Sequence, residues 1–341
     1  MTTLVTGASG FLGSHVARQL VARGETVRVL LRPSSHNRAI SDLSLEYVTG
    51  DLRDPASLER AIKGVKRVFH VAGDYRLWAK RSKDIYESNV GGTKNLLAAA
   101  ESAGVEQFIY TSTVATIAVD RPQPPNEATE AHLDEMVGHY KRSKWLAEQE
   151  VRKAAKNGAP VIIAMPTTPV GPWDWKPTPT GKIIVDFLNG KMPGYVDTGL
   201  NFVGVEECAA GHLLVSEKGK PGERYLLGAE NLTLKQVLDT LAKITGLRAP
   251  SMKIPHGLAL SVAYADTVFS RLTFREPQIP IEGVKIARHN MFVDCSRAHR
   301  ELGFHPGSVA AALERAVRWY EANGYVSARR AKRIVHAAAS L

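Results

Sequence analysis

The sequence predicts an α/β fold in which a doubly wound, mostly parallel sheet is joined by a smaller C-terminal lobe. Short apolar runs alternate with helical segments through the first half of the chain, which is typical of stacked βαβ units. These runs are continuous and not alternating, so each strand is expected to be buried on both faces. Hydrophobic residues make up 44% and charged residues 23% of the 341 residues, which excludes a disordered or fibrous protein.

The predicted elements follow from the spacing of apolar residues. A strand at 4–5 leads into a helix in which Leu12, Val16 and Leu20 share one face, and this helix ends near Gly24. Further strands are predicted at 27–31, 45–48, 68–71, 108–110 and 161–165. Further helices are predicted at 89–103, 140–156, 181–189, 206–217 and 234–245. We divide the chain into a domain at 1–175, a substrate lobe at 176–325 interleaved with it, and a basic tail at 326–341.

The charge balance favours a small phosphate-bearing ligand over nucleic acid. Lys plus Arg is 44 and Asp plus Glu is 34, a net charge of +10. Part of this surplus lies in the tail, where no acidic residue follows Glu321. The remaining surplus is small, and no nucleic-acid recognition motif is present, so nucleic acid is not an expected partner.

Cysteine and histidine usage points away from disulfides and metals. Cys208 and Cys295 are isolated thiols and the 11 histidines are scattered, so neither a disulfide framework nor a metal site is expected. The first ten residues lack the pattern of a signal peptide, and the longest apolar runs are too short to span a bilayer. We therefore expect a soluble, cytoplasmic protein.

A glycine-rich turn follows the first predicted strand. In the run GASGFLG, glycines recur at every third position between a strand and a helix. Glycines allow backbone N–H groups to approach a pyrophosphate, and the helix N-terminus adds partial positive charge. This context predicts a Rossmann-type dinucleotide site formed by Gly7, Ser9, Gly10, Phe11, Leu12 and Gly13.

The end of the second strand favours NADP over NAD. An acidic residue there would bind the ribose 2′-hydroxyl of NAD, but the sequence LLRPSS contains none. Arg32 can instead bind a 2′-phosphate, helped by Ser34 and by Arg38. After the third strand, Asp51 and Leu52 occupy a position where a carboxylate can reach the adenine amino group; a helix N-cap is the alternative for Asp51.

A phenol and an ammonium share one face of the helix predicted at 140–156. Tyr140 and Lys144 are four residues apart, and the ammonium is expected to lower the pKa of the phenol toward a value useful for proton transfer. Thr113 and Ser112 follow the fifth strand, at the sheet edge where open α/β folds bind ligands. A hydroxyl there can bind a substrate carbonyl while the tyrosine transfers a proton.

Over nearly its full length the chain resembles the extended short-chain dehydrogenase/reductase superfamily. The matching segments are TGASGFLGSH, GDLRD, HVAG, NVGGT, YTSTVAT, YKRSK and RELGFHP. Within that superfamily the sequence is most similar to the hopanoid-associated sugar epimerase family, through segments such as DYRLWA, PTPTGKIIVDFLNGKMP and GYVDTGLNFV. Dihydroflavonol 4-reductases are more distant relatives with similar surroundings of Arg32 and Tyr140.

The resemblance implies specific roles for residues of this chain. Tyr140 corresponds to the proton donor, Lys144 to its ammonium partner, and Thr113 to the catalytic hydroxyl, with Ser112 as a second candidate. Asn89 matches an asparagine that borders the nicotinamide. The remaining positions implied to contact the cofactor are Ala72, Gly73, Pro166 and Thr168. Dimerisation through the helices corresponding to 89–103 and 140–157 is common in the superfamily, so a homodimer is expected by analogy.

The resemblance leaves the reaction open. A reductase would consume NADPH, whereas an epimerase would oxidise a sugar hydroxyl and return the hydride to the other face; a non-catalytic NADP-binding protein is a third alternative. The loop at 199–203 lacks the arginine typical of members that bind nucleotide sugars, leaving Arg288 and Arg297 as candidates for a diphosphate. The absent carboxylate near Arg32 resembles the reductases.

The expected substrate pocket is largely aromatic. Its candidate residues are Tyr75, Arg76, Trp78, His139 and Trp173. Aromatic groups with a few polar anchors suit an apolar or amphipathic carbonyl compound, although Trp78, Trp173 and Trp175 could equally pack between the lobes. In the basic tail, Ala331, Ile334, Val335 and Ala338 lie near one helical face. That face could contact anionic lipid weakly, with a solvated tail as the alternative.

Overall fold

The strands form two sheets. The structure is a computed structural model that describes residues 1–117, 121–273 and 275–335. Its strands are β1 (Thr2–Thr6), β2 (Thr26–Leu31), β3 (Glu46–Thr49), β4 (Val65–His70), β5 (Gln107–Thr111), β6 (Val161–Pro166), β7 (Thr168–Val170), β8 (Gly199–Gly204), β9 (Arg224–Leu227) and β10 (Glu230–Thr233). The large sheet has the order β3-β2-β1-β4-β5-β6-β9 with all neighbours parallel, and the small sheet has the order β10-β8-β7.

Helices cover both faces of the large sheet and build the lobe. In the first half they are α1 (Phe11–Ala22), α2 (Pro55–Ile62), α3 (Lys83–Tyr86), α4 (Gly92–Ser102) and α5 (Gly138–Lys156). In the second half they are α6 (Pro179–Leu188), α7 (Val205–Lys218), α8 (Leu234–Thr245), α9 (His256–Leu272), α10 (Ile281–Ile286), α11 (Ser296–Leu302), α12 (Val309–Ala322) and α13 (Ala328–Ala331). A single π-helical turn, Glu87–Gly91, joins α3 to α4.

The large sheet confirms the predicted doubly wound α/β architecture. The strand order reverses between β1 and β4, and in such sheets the ligand crevice lies at the carboxyl ends of the strands at this point. One apolar cluster packs on each face of the sheet, and a third fills the lobe around α6, α8 and α12. Because β9 returns from the lobe to pair with β6, the two parts of the chain share the large sheet.

Several elements were not predicted from the sequence. Helix α2 begins after Asp54, whose carboxylate accepts from the Ala56 N–H. Within the predicted helix at 89–103, the first turn is π-helical and α4 begins only at Gly92. The small sheet, whose strands are 3, 6 and 4 residues long, was not predicted either.

The described part of the basic tail packs against the lobe. It contains only the single turn α13, and Ala331 and Ile334 contact the lobe core. The Val335 N–H donates to the Thr245 carbonyl at 3.0 Å. The prediction of a lipid-facing surface formed by Ala331 and Ile334 is therefore wrong for these two side chains, which are partly buried in the lobe. Ala338 lies outside the described residues. Among the helices of the described ranges, none combines the length and apolarity needed to cross a bilayer.

Candidate cofactor and active site

The glycine turn has the backbone geometry of an anion cradle. Gly7 adopts φ +75°, and a Cβ there would lie 2.6 Å from the Ala72 N atom, so a side chain is excluded. A Cβ at Gly13 would collide with the Gly7 carbonyl oxygen. Gly10 is the N-cap of α1, with no side-chain cap and no acidic residue in the first turn. The free N–H groups at this helix end therefore face the space beside the turn. Ser9, Phe11 and Leu12, in and after the turn, are partly exposed.

Exposed cationic and hydroxyl groups follow β2. Arg32, Ser34 and Arg38 are all exposed. The pKa of Asp51 is lowered mainly by the Arg53 side chain, which donates to its carboxylate at 2.8–2.9 Å. The charge of Arg32 also lowers this pKa, by less. Asp51 is therefore held in an ion pair, and Asp54, not Asp51, caps α2. Leu52 beside it is buried.

Asn89 fixes the loop that follows β4. Its Oδ1 accepts from the Asp74 N–H at 2.7 Å, while its Nδ2 donates to the Asp74 carbonyl and to Ser143 Oγ, each at 2.9 Å. Asn89 lies in the π-helical turn, a feature that often marks functional sites because it redirects one side chain. The loop containing Ala72 and Gly73 is thereby attached to α5, the helix that carries Tyr140.

The structure brings Tyr140 and Thr113 together. Burial raises the pKa of the Tyr140 phenol, and the nearby Thr113 side chain, whose Oγ1 accepts from the Ala115 N–H at 3.2 Å, lowers that pKa by less. Lys144 is not among the causes of this shift, so the expected lowering by its ammonium alone is not seen, and the lowering expected from Lys144 together with a cationic nicotinamide stays a prediction. The Lys144 Nζ donates instead to the Tyr110 hydroxyl at 3.0 Å and to the Thr111 carbonyl at 2.8 Å. Burial lowers the pKa of Lys144 to about 8, against an opposing effect of Glu148.

Ser112 is bound in a buried ionic cluster. Its hydroxyl donates to Glu148, which also accepts from Thr116 at 2.9 Å and from Arg224 at 3.1 Å. The Glu148 and Arg224 side chains are only 2% and 8% exposed. Ser112 is therefore engaged in structure, and Thr113 is the hydroxyl that meets Tyr140. The sequence analysis did not identify Tyr110, Glu148 or Arg224; the available signal was the spacing of Glu148, one turn after Lys144 on α5.

The predicted substrate residues divide into two groups. Tyr75 is exposed and Trp78 is half-buried in the loop after β4, where Arg76 forms an ion pair with Asp74. His139 is exposed beside Tyr140 in sequence, and its Nδ1 lies 3.1 Å from the Tyr86 hydroxyl. His139 lies in the first turn of α5, directly before Tyr140.

Trp173 belongs to a second group, a strap at 172–175 that crosses from the lobe to the large sheet. The Pro172 carbonyl lies 3.0 Å from His15 Nε2. The Arg18 guanidinium lies 4.3 Å from the centroid of the Trp173 ring, and that of Arg38 lies 3.6 Å from the Trp175 ring.

Contacts on both sides fix the strap between the lobe and the large sheet. Trp173 adopts φ +70°, a strained conformation for a residue with a side chain. The carboxylate of Asp174 accepts from the Tyr320 hydroxyl at 2.7 Å, and the Trp175 ring packs 4.8 Å from that of Trp319. Trp173 and Trp175 therefore pack between the lobe and the large sheet, as the alternative in the sequence analysis expected. No contact in the described ranges joins either ring to Tyr140.

The remaining predicted positions lie along the small sheet and the lobe surface. Pro166 ends β6, and Thr168 begins β7 opposite Phe202. Arg297 is paired with Glu223 and Glu301, so its guanidinium is already engaged. Arg288 instead lines a cavity of about 360 Å³ together with Arg121, His289 and three prolines. No group of metal ligands is present among the described residues.

Comparison with known proteins agrees with this architecture. The model of the NAD dependent epimerase/dehydratase family matches residues 3–228. A relative from Synechocystis that carries the name of a dihydroflavonol 4-reductase is 43% identical, over 94% of this chain and 95% of its own. Sterol demethylase protein B of Methylococcus capsulatus is 35% identical, over 96% of this chain and 100% of its own.

A solved structure shows the same fold. The crystal structure of gox2253 superposes with a TM-score of 0.85 at 42% identity, covering 96% of this chain and 99% of that chain. The glycine turn at the strand reversal, the residues around Tyr140 and these matches lead to one assignment. The chain belongs to the NAD-dependent epimerase/dehydratase family of extended short-chain dehydrogenase/reductase enzymes, with a nicotinamide-dependent oxidoreductase or epimerase chemistry.

Proposed function

We propose that the protein is an NADP(H)-dependent oxidoreductase that interconverts a ketone and a secondary alcohol, with Tyr140 as general acid and base. The observation that carries this proposal is the placement of the Thr113 side chain beside the Tyr140 phenol, together with the buried Lys144 ammonium one turn further along α5. These three groups lie at the sheet edge where a ligand is expected.

The cradle geometry fits a dinucleotide. Its pyrophosphate would bind the turn formed by Gly7, Gly10 and Gly13, where no side chain can intrude. When bound, the nicotinamide supplies or accepts a hydride at its C4 atom. The other positions proposed to contact the cofactor are Ser9, Phe11, Leu12, Arg32, Ser34, Arg38, Asp51, Leu52, Ala72, Gly73, Pro166 and Thr168. In this scheme residues 1–175 bind the cofactor and residues 176–325 form most of the substrate lobe.

The chain's own residues would handle the proton and orient the substrate. Thr113 would donate a hydrogen bond to the substrate oxygen, and Tyr140 would transfer a proton to it during reduction or accept one during oxidation. The Lys144 ammonium, held on Tyr110 and Thr111, would add positive charge beside the site. Asn89 is a positioning residue here, because its three side-chain hydrogen bonds hold the loop after β4 and α5 in place.

The preference for NADP is supported by the groups that follow β2. Arg32, Ser34 and Arg38 are exposed at this strand end, where the sequence provides no carboxylate. A charged hydrogen bond to a 2′-phosphate contributes about 1.5–3 kcal/mol. Replacing Arg32 in Arg32→Gln should therefore raise the KM for NADPH by about 10- to 100-fold and leave the KM for NADH nearly unchanged. Equal effects on the two cofactors would contradict the NADP assignment.

A sugar epimerase or dehydratase of hopanoid or cell-envelope metabolism is the second candidate. The observation on its side is Arg288, which lines a cavity of about 360 Å³; the neighbouring Arg121 is already paired with Glu135 at 2.8 Å. The exposed aromatic Tyr75 and the half-buried Trp78 favour a less polar substrate. A non-catalytic NADP-binding role is disfavoured by the presence of both Tyr140 and Lys144.

The two catalytic candidates differ in cofactor consumption. Purified protein is mixed with NADPH and a panel of hydrophobic ketones, and in parallel with catalytic NADP and nucleotide sugars. We expect stoichiometric loss of NADPH absorbance with at least one ketone. Interconversion of a sugar without net NADPH consumption would contradict the reductase proposal and support the epimerase.

A further inference from the structure

Helix α9 presents an apolar face to solvent. Its outermost side chains, Leu258, Val268 and Leu272, are 57%, 58% and 73% exposed. At 100° per residue they fall in one sector of the helix. The complete exposed set is Leu258, Val262, Tyr264, Val268, Phe269 and Leu272. The opposite sector, with Ala263 and Ser270, is buried against the protein. We refer to the six exposed residues as the α9 face.

The charged groups near the α9 face are mainly cationic. The one acidic residue of α9, Asp266, accepts from the Ile279 N–H at 2.8 Å, so its carboxylate is directed toward the following loop. The Arg275 guanidinium lies 4.4 Å from the centroid of the Phe269 ring, a cation placed directly beside apolar surface. From 252 to 289, the exposed cations at described positions are Lys253, which pairs with Asp197 at 2.7 Å, and Arg275, Lys285 and Arg288; Glu276 is the exposed acid.

We propose that the α9 face docks on an anionic lipid surface, a proposal that rests on the proposed function and gives its substrate a class: a lipophilic ketone or secondary alcohol held in a membrane. Large contiguous apolar patches on a monomer mark protein or membrane contacts. Apolar side chains on one helix face with flanking Lys and Arg are the arrangement that binds an anionic interface. If a second copy of this chain docked on the α9 face, the cations beside the face in one copy would lie against those of the other and repel them.

The α9 face is connected to the active-site end of α5. Helix α10 packs against α9, and its Glu282 carboxylate occupies the space next to Gly138, two residues before Tyr140. The Glu282 Oε1 also accepts from the His139 N–H at 3.4 Å. On the other side, a Cβ at Gly283 would lie 3.5 Å from Leu77, in the loop that carries Tyr75 and Trp78. Helix α10 therefore lies between α9 and the end of α5 that carries Tyr140.

The test is co-sedimentation of the full-length protein with vesicles. Vesicles of pure phosphatidylcholine are compared with vesicles that contain 30% phosphatidylglycerol. We expect binding to the anionic vesicles that weakens with salt. The triple substitution Leu258→Gln, Val268→Gln, Leu272→Gln should lower the partition coefficient about tenfold or more. Arg275→Gln should lower it about fivefold. The matched control Leu133→Gln changes an exposed leucine far from α9 in sequence and should have no effect.

The outcomes separate the alternatives. Wild-type protein that stays in the supernatant, or a triple variant that binds like wild type, would overturn the proposal. A wild-type dimer that the triple variant converts to monomer, without vesicle binding, would assign the face to a second copy. Loss of binding only in a variant of the tail cations Arg329, Lys332 and Arg333 would assign it to the tail.

A parallel assay with NADPH and a water-soluble ketone tests the proposed function by itself. The triple variant should retain wild-type turnover in that assay, because none of its substitutions lies in the site. Vesicle binding without any turnover would leave the docking intact and contradict the proposed function, whereas turnover without vesicle binding would do the reverse.

Discussion

Replacing Glu148 with glutamine should both destabilise the protein and shift its activity profile. Glu148 is buried, accepts hydrogen bonds from Ser112 and Thr116, and pairs with Arg224 at 3.1 Å. Glutamine keeps one acceptor oxygen but replaces the other with an NH₂ group. That group is a donor, and it would face the donors that Glu148 now accepts from. Breaking a buried pair leaves an uncompensated charge, here on Arg224, and costs about 3–5 kcal/mol. We expect Glu148→Gln to lose about 3 kcal/mol of unfolding free energy.

The kinetic consequence follows from Lys144. Its pKa is lowered to about 8 by burial, and Glu148 opposes that shift. Lys144 is protonated below its pKa, so turnover that requires the ammonium should fall as the pH rises through about 8. Without the Glu148 charge the pKa of Lys144 drops further, and the alkaline fall in kcat should move to lower pH.

Urea unfolding at pH 7 and a pH profile of kcat measure the two effects. The control is Glu150→Gln on the same helix, whose carboxylate lies 3.7 Å from Lys94 in an exposed pair, and which should change stability by less than about 0.5 kcal/mol. An unchanged urea midpoint for Glu148→Gln, or an alkaline limb that moves upward, would refute the reasoning.

Two further predictions concern neighbouring groups. Burial lowers the pKa of Lys141 from 10.5 to about 8, and its Nζ donates to the Met291 sulfur at 3.4 Å. Because the fold disfavours the charged form, Lys141→Met should raise the free energy of unfolding by about 3 kcal/mol at pH 7. Urea titrations should show that this gain shrinks as the pH rises from 8 to 10.5. Trp175→Leu removes the ring that holds Arg38, so the KM for NADPH should rise about two- to fivefold with kcat unchanged, as measured by initial rates.

The controls for these two variants are also specific. Lys153→Met changes an exposed lysine on the same helix and should leave stability within about 0.5 kcal/mol at both pH values. A Lys141→Met protein less stable than wild type at pH 7 would show that the amine has a stabilising partner. If Trp175→Leu raises the KM for NADH as much as that for NADPH, the strap acts on the whole cofactor and not on the 2′-phosphate.

The sequence was sufficient for the features that depend on local spacing. The predicted strands of the large sheet, the glycine turn and the helix carrying Tyr140 are all present, because apolar periodicity and glycine geometry act over a few residues. The pairing of Ser112 and Thr113 with different partners was not predictable. Adjacent hydroxyls at a strand end look alike until the fold brings Glu148 to one and Tyr140 to the other.

Long-range contacts account for most of what was missed. Lys144 was expected to act on Tyr140 four residues away, yet its hydrogen bonds go to Tyr110 and Thr111, more than 30 residues earlier in the chain. Trp173 was expected among the aromatic residues of the substrate pocket, but in the structure its ring lies 4.3 Å from the guanidinium of Arg18 on α1. These contacts join residues far apart in the chain, so the spacing of neighbouring residues does not predict them.

The most direct measurement of the central claim compares wild-type protein with Tyr140→Phe. Phenylalanine keeps the ring and removes the hydroxyl beside Thr113, so NADPH affinity, measured by fluorescence titration, should remain within about twofold. Turnover of a ketone that wild type reduces should fall by about 10²- to 10⁴-fold. A phenylalanine variant that reduces the ketone at a wild-type rate would contradict the assignment of Tyr140 as the acid and base.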